Sequence, residues 1–148
     1  MTLRNLLCST VLLFLFVSIG CRDSGPESKV SGLQNILWTL QSFETIGGIT
    51  DTIADGRTYS ILFVSDTTAR VRADCNDCTG TYYASPVGMD AHISVGNFFC
   101  TKVYCGSQSL DMKFLGALGS ASDYVIQGNV LRVYYNERRQ ALNFTRGF

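Results

Sequence analysis

Thr68-Ala69-Arg70-Val71-Arg72-Ala73 has the cleanest two-residue period in this chain. Ala69, Val71 and Ala73 alternate with Thr68, Arg70 and Arg72. An extended strand would therefore put all its apolar side chains on one face and its polar ones on the other. One buried face and one wet face suit an antiparallel sheet. The same alternation occurs upstream, where Tyr59, Ile61 and Phe63 interleave with Ser60, Leu62 and Val64, and Ile36, Trp38 and Leu40 with Leu37, Thr39 and Gln41. Further strands are expected at 79–84, 91–95, 123–127, 129–135 and 140–145, with hairpin turns at Gln127-Gly128-Asn129 and Asn136-Glu137-Arg138. Residues 109–118 change period. Leu110, Phe114, Ala117 and Leu118 fall on one face of a helix, which Ser107 or Ser109 could cap and Gly119 could end. Eight strands and one helix predict a mainly β domain, an antiparallel barrel closed or nearly closed so that few sheet edges remain exposed.

The chain has 148 residues, enough for one ordinary domain. A hydrophobic fraction of 46% against 16% charged residues excludes a disordered chain. Twelve basic and twelve acidic residues cancel, which leaves no electrostatic footprint for nucleic acid. A single His limits both histidine catalysis and metal binding.

The amino terminus has the composition of an address rather than of a fold. Arg4 precedes a 14-residue apolar stretch from Leu6 to Ile19. As a helix it would span about 21 Å, short of the roughly 30 Å of a bilayer core. A basic start, a short apolar core and small residues at its end are the marks of a secretory signal. The closing Val17-Ser18-Ile19-Gly20-Cys21 resembles the bacterial lipoprotein cleavage box, with Ser18 where that box usually carries Leu. The resemblance implies cleavage before Cys21 and acylation of its sulfur. The expected organisation is a signal at 1–20, a lipid anchor and flexible tether at 21–34, and a domain at 35–148 on the membrane of a bacterial cell envelope. The mature chain would carry a net charge of about −1, since the discarded segment holds one base.

Cys75-Asn76-Asp77-Cys78-Thr79-Gly80-Thr81-Tyr82 fits a Cys-Asn-x-x-x-Gly-x-Tyr pattern, and Thr101-Lys102-Val103-Tyr104-Cys105 fits Thr-x-x-x-Cys. Trp38-Thr39-Leu40 precedes them, and Phe114, Leu118 and Tyr124-Val125-Ile126-Gln127-Gly128 follow. This order resembles the META/HslJ family of small bacterial envelope proteins over roughly 35–146. The resemblance implies a small lipocalin-like antiparallel β-barrel with one α-helix, frequent lipoprotein anchoring and ties to stress response. It singles out Cys75, Asn76, Gly80, Tyr82, Thr101 and Cys105 as motif residues and supplies no catalytic ones.

Beyond Cys21, four cysteines remain, all in the domain: Cys75, Cys78, Cys100 and Cys105. In an exported chain they are expected to oxidise. Three connectivities are available. Cys75 continues the inward parity of Ala69, Val71 and Ala73. An antiparallel ladder keeps the sum of paired residue numbers nearly constant. The nested pairing, Cys75 with Cys105 and Cys78 with Cys100, fits that rule better than the crossed one. Two other chemistries use the same residues. Four thiolates could hold zinc, although Cys100 and Cys105 are spaced more widely than in the usual knuckle. Cys75 and Cys78 could form a thiol-redox pair, although turn and strand residues follow where an activating helix would be needed.

The other candidates are weaker. His92 alternates away from Ile93 and Val95, as a surface residue does, and no Gly-x-Ser-x-Gly elbow accompanies it. Asp51, Asp55 and Asp66 lack the spacing of a cation loop. Tyr82, Tyr83, Tyr104, Tyr134 and Tyr135 with Phe98 and Phe99 could form a ligand surface or fill the core. The sequence thus favours a non-enzymatic envelope lipoprotein without cofactor or metal. Its expected partners are the membrane, through its lipid, and a protein or small apolar ligand. The alternative is an exported hydrolase or thiol-redox enzyme using His92 or Cys75 and Cys78. The first requires a filled barrel or dry pocket with closed disulfides. The second requires His92 or a thiolate in a cleft beside complementary polar groups.

Overall fold

The Thr68–Ala73 run forms a strand whose Ala69, Val71 and Ala73 are buried while Arg70 faces solvent. It is β4 in a computed structural model that describes residues 32–88 and 91–147. The strands before it are β1 (Leu37–Thr45), β2 (Gly48–Thr52) and β3 (Tyr59–Phe63). After it come β5 (Asn76–Ala84), β6 (Ile93–Cys100), α1 (Asp111–Gly119), β7 (Ala121–Gln127), β8 (Val130–Tyr135) and β9 (Gln140–Arg146). The signal segment and Cys21 lie outside the described residues.

All strand pairs are antiparallel, in the order β6-β5-β4-β3-β1-β9-β8-β7, with β2 attached to β1 alone. The sheet curls until its two edges meet at one bridge, His92 opposite Asp123, beside a hydrogen bond from Tyr124 N–H to the Ala91 carbonyl. Among the described residues this is a mainly β, barrel-like fold with one helix, as the sequence predicts. Trp38, Phe43, Tyr59, Phe63, Phe114 and Phe144 are fully buried inside it. Phe114, Ala117 and Leu118 are the buried face of α1. Phe114 places its ring 5.5 Å from Tyr59 and 6.2 Å from Phe144, so the helix closes over the aromatic core.

Antiparallel connectivity sorts the loops into two ends. Turns 46–47, 74–75 and 136–139 and the loop 101–110 lie at one end, called distal here. Connections 64–67, 85–92 and 128–129 lie at the other, with Gly32 and Gly147.

Four expectations need correction. First, β2 was not foreseen. Ile49 and Thr50 are both exposed, so no buried face imposes an alternation, and the strand exists through its pairing with β1. Second, ordered packing starts before residue 35. Leu33 is fully buried and its carbonyl accepts the Trp38 indole N–H at 3.2 Å, while Gln34 bridges Phe63. Third, Cys75 does not continue the parity of β4. Asp74, at φ 58°, turns the chain, Ala73 pairs with Asn76, and the inward positions of β5 are 76, 78, 80, 82 and 84. Fourth, α1 starts at Asp111. Ser107 makes no cap, and Ser109 Oγ accepts the Asp111 N–H at 3.3 Å beside the capping position.

Candidate functional site

The distal end gathers most of the motif residues. Cys78 and Cys100 stand directly opposite each other on the β5–β6 ladder and form one disulfide pair. Cys75 in the β4–β5 turn pairs with Cys105 in the 101–110 loop, with Cα atoms 5.5 Å apart. The two pairs are nested, the arrangement the ladder argument favours, and they clasp the loop at its start and its middle. Cys75 and Cys78 are not bonded to each other, and the four sulfurs are used in these two pairs. Among the described residues, no cluster of three or more His, Cys, Asp or Glu is placed to hold a metal ion.

Asn76, buried at the first position of β5, fixes the loop between the two bridges. Its Oδ1 accepts the Val103 N–H at 2.8 Å and the Thr101 hydroxyl at 3.0 Å. Its Nδ2 donates to the Val103 carbonyl at 3.0 Å. Thr101 Oγ1 in turn accepts the Asp77 N–H at 3.0 Å. Arg57 pairs with Asp74 and donates to the Cys105 carbonyl at 3.3 Å. The Leu110 N–H donates to the Tyr59 hydroxyl at 2.8 Å, which ties the end of the loop to β3.

Gly80 and Tyr82 serve the frame elsewhere. A Cβ on Gly80 would stand 2.7 Å from the Phe98 ring and 2.8 Å from the Gly96 carbonyl, so glycine lets β6 cross closely at its bulge. The Tyr82 hydroxyl donates to the Ser65 carbonyl at 2.7 Å, its ring packs 4.6 Å from that of Phe63, and burial pushes its phenol pKa up.

His92 is 66% exposed, with Nδ1 3.0 Å from Asp123 Oδ1. Ser122 Oγ donates to the other oxygen of Asp123 at 2.7 Å. The three acidic candidates do not converge. Asp51 pairs with Lys113, whose hydrogen bond lowers the Asp51 pKa, and Asp66 accepts from Gln34. The aromatic candidates divide. Tyr82 and Tyr135 are buried, whereas Tyr83, Phe99 and Tyr104 are exposed.

Four large apolar side chains remain in water on or beside the clasped loop: Phe99 at 81% exposure, Val103 at 55%, Tyr104 at 84% and Met112 at 78%. An open groove of about 560 Å³ runs there between the end of β6 and the start of α1, with Phe98, Val103, Tyr104, Met112 and Leu115 on its walls. Val103 and Met112 were missed in the sequence. Their signal was present: Met112 lies off the Leu110–Phe114–Leu118 face of the helix, and Val103 lies inside a motif read only for its Thr and Cys.

The model of the META domain matches residues 31–147. This chain belongs to the META domain family. The META fold here is similar to an NMR structure of a protein from Burkholderia xenovorans, with a TM-score of 0.63 and 16% identity over 80% of this chain and 86% of that one. It is also similar to the crystal structure of a DUF4847 family protein from Bacteroides vulgatus, with a TM-score of 0.55 and 20% identity over 76% and 93% of the two chains. At these identities the likeness extends to the fold alone. No curated protein matches the chain. In this META domain, Cys75, Asn76, Thr101 and Cys105 build one clasp, and the apolar side chains between them are what the clasp displays.

Proposed function

We propose that this META-domain protein is a non-enzymatic binding module of the bacterial cell envelope, anchored by acyl chains on Cys21 and active in binding or in the response to envelope stress. The observation that carries the reading is the nested pair of disulfides at the distal end. Disulfides belong to oxidising compartments, and the apolar segment before Cys21 supplies a route to one. Several acyl chains at Cys21 give stable anchoring, where a single chain holds a membrane only weakly. The packed aromatic interior argues for recognition on the outside of the barrel rather than within it. A small apolar ligand or a protein segment would bind at the distal groove without cofactor or metal. A hydrolytic role would rest on His92, which is largely exposed. A thiol-redox role would need Cys75 and Cys78 to bond to each other.

Intact-mass spectrometry of protein purified from its own membrane tests the proposal. The mature chain should begin at an acylated Cys21 and weigh about 4 Da less than its fully reduced form, one H₂ for each bridge. C21S should leave the membrane fraction. An unmodified Cys21, or two or more titratable thiols, would overturn the reading.

A further inference from the structure

The two bridges of the clasp differ in what a dissolved thiol would meet. Cys78 and Cys100 face each other on the β5–β6 ladder, and Cys78 is buried. Cys100 is half-buried and lines the groove, so it is the more open end of that bridge. Attack there would leave a thiolate on buried Cys78, where a charge without a partner is costly. Cys75 and Cys105 lie outside the strands, one in the β4–β5 turn and the other in the 101–110 loop, and both are half-buried.

The two sulfurs of this second bridge are not equivalent. Among the described residues, the two N–H groups that reach a cysteine sulfur both reach Cys105. The Cys75 backbone N–H and Asn76 Nδ2 each donate to Cys105 Sγ at 3.3 Å. The Val103 carbonyl lies 3.7 Å from Cys75 Sγ and 3.5 Å from Cys105 Sγ, so it opposes negative charge on either. Hydrogen bonds strengthen when their acceptor becomes an anion, so Cys105 has support for a thiolate that Cys75 lacks. The charged side chains nearby come in opposed signs. Arg57 reaches the Cys105 carbonyl and pairs with Asp74. Asp111 stands 3.5 Å from Asn76 Nδ2 and shares the groove with Lys102. The N–H donors therefore decide which sulfur leaves.

We infer that Cys75 is a site of reversible S-thiolation by a low-molecular-mass thiol. The thiolate of the incoming molecule attacks Cys75 Sγ and forms a new S–S bond there. The Cys75–Cys105 bond breaks, and its electron pair leaves on Cys105 Sγ, where the two N–H groups receive the charge. One disulfide replaces another, so no further oxidant or reductant enters. Return attack of Cys105 on Cys75 Sγ expels the thiol and closes the clasp again. In the open state Cys78–Cys100 and Asn76 still hold the start of the loop, while Val103 and Tyr104 lose the fastening that follows them. This chemistry goes beyond the binding reading and does not depend on anchoring at Cys21.

Glutathione is the probe. The full lipidated protein in detergent micelles is treated with reduced glutathione, quenched with N-ethylmaleimide at successive times and mapped by peptide mass spectrometry. At early times glutathione should sit on Cys75 and maleimide on Cys105, about tenfold more often than the reverse. Cys78–Cys100 should stay closed, and C21S should react as the unsubstituted chain does. Asn76→Ala removes one donor, so the preference for Cys75 should fall about threefold. A loop that was merely loosened would open faster without any change in the sulfur attacked. Adducts mainly on Cys105, Cys78 or Cys100, simultaneous opening of both bridges, no adduct at all, or an unaltered preference in N76A would overturn the inference. Cys75 and Cys105 found free before glutathione is added would overturn it together with the disulfide basis of the binding reading. An unmodified Cys21 would overturn the anchoring alone.

Discussion

Asn76→Ala removes the side chain on which the distal loop rests, and the cost follows from its contacts. Asn76 is one of the few polar residues buried in this domain. It makes three hydrogen bonds of 3.0 Å or less, two to the backbone of Val103 and one to the Thr101 hydroxyl. Each such bond contributes about 1 kcal/mol net, and a buried group left without its partner costs more. Val103 is half exposed, so water reaches part of the freed backbone, and the expected loss is about 2 kcal/mol. With a urea slope of about 2 kcal/mol per molar, the unfolding midpoint should fall by about 1 M. Asn76→Asp is the sharper comparison. A carboxylate keeps the shape and the two accepting contacts, but it cannot donate to the Val103 carbonyl, and it would face Asp111 Oδ2, which stands 3.5 Å from the present amide nitrogen. N76D should therefore be at least as unstable as N76A at neutral pH and recover part of the difference in acid, where the carboxylate takes a proton. Far-UV circular dichroism in urea, with the disulfides intact, gives the midpoints, and amide exchange at Val103 locates the effect. A midpoint within about 0.2 M of wild type, or unchanged protection of the Val103 amide, would refute the view that Asn76 holds this loop.

Gly80→Ala should cost about 1–3 kcal/mol by thermal denaturation, because its new methyl meets the Gly96 carbonyl as well as the movable Phe98 ring. The two disulfides should not contribute additively. On chain-entropy arithmetic, bridges closing separations of 30 and 22 residues are each worth about 3.5 kcal/mol alone. With Cys78–Cys100 in place, however, Cys75–Cys105 closes only the eight residues by which those separations differ, about 2.5 kcal/mol. Double-mutant cycles in urea should show this shortfall, and full additivity would contradict the nesting. Stability should also fall in alkali. Burial holds the Tyr124 phenol at about 12 and raises Tyr82 and Tyr135 as well. Below pH 10 both folded and unfolded chains keep these protons. Between about pH 10 and 12 the unfolded chain ionises first, and up to about 3 kcal/mol is lost through Tyr124 alone. Tyr124→Phe should flatten that limb of the pH profile, and an unchanged slope would reject the assignment.

Elements whose period reports burial were legible in the sequence. β4 and the early part of β1 each bury one face, β3 buries Tyr59, Ile61 and Phe63 on its inner face, and Phe114, Ala117 and Leu118 mark the inner side of α1. β2 has no buried face and left no trace of its own. Its reality is tertiary, through Thr45 opposite Gly48 and Phe43 opposite Asp51. The inward parity expected of Cys75 fails for a related reason. Parity can be extrapolated only while the strand lasts, and the left-handed Asp74 ends β4 one residue earlier. The pairing of Cys78 with Cys100 is legible because both stand on the β5–β6 ladder, and Cys75 and Cys105 follow just beyond its end, in the turn and the loop. Leu33 was assigned to the tether because its neighbours are polar, whereas its burial comes from Trp38, five residues on.

The clasp also explains why the motif residues alone say so little about function. Asn76 and Thr101 bond to each other and to the loop backbone, Cys75 and Cys78 are bonded to Cys105 and Cys100, and Gly80 and Tyr82 are occupied by Phe98 and Ser65. Side chains with their polar groups satisfied inside the frame have little left to offer a partner. Val103 and Tyr104 lie between the fastened positions and Met112 just after them, and all three remain in solvent. A rigid support beneath exposed apolar groups lowers the entropy lost when they are covered. On the proposed binding role, specificity would belong to the residues between the motif positions, and a change there should alter binding while leaving the fold and its disulfides intact.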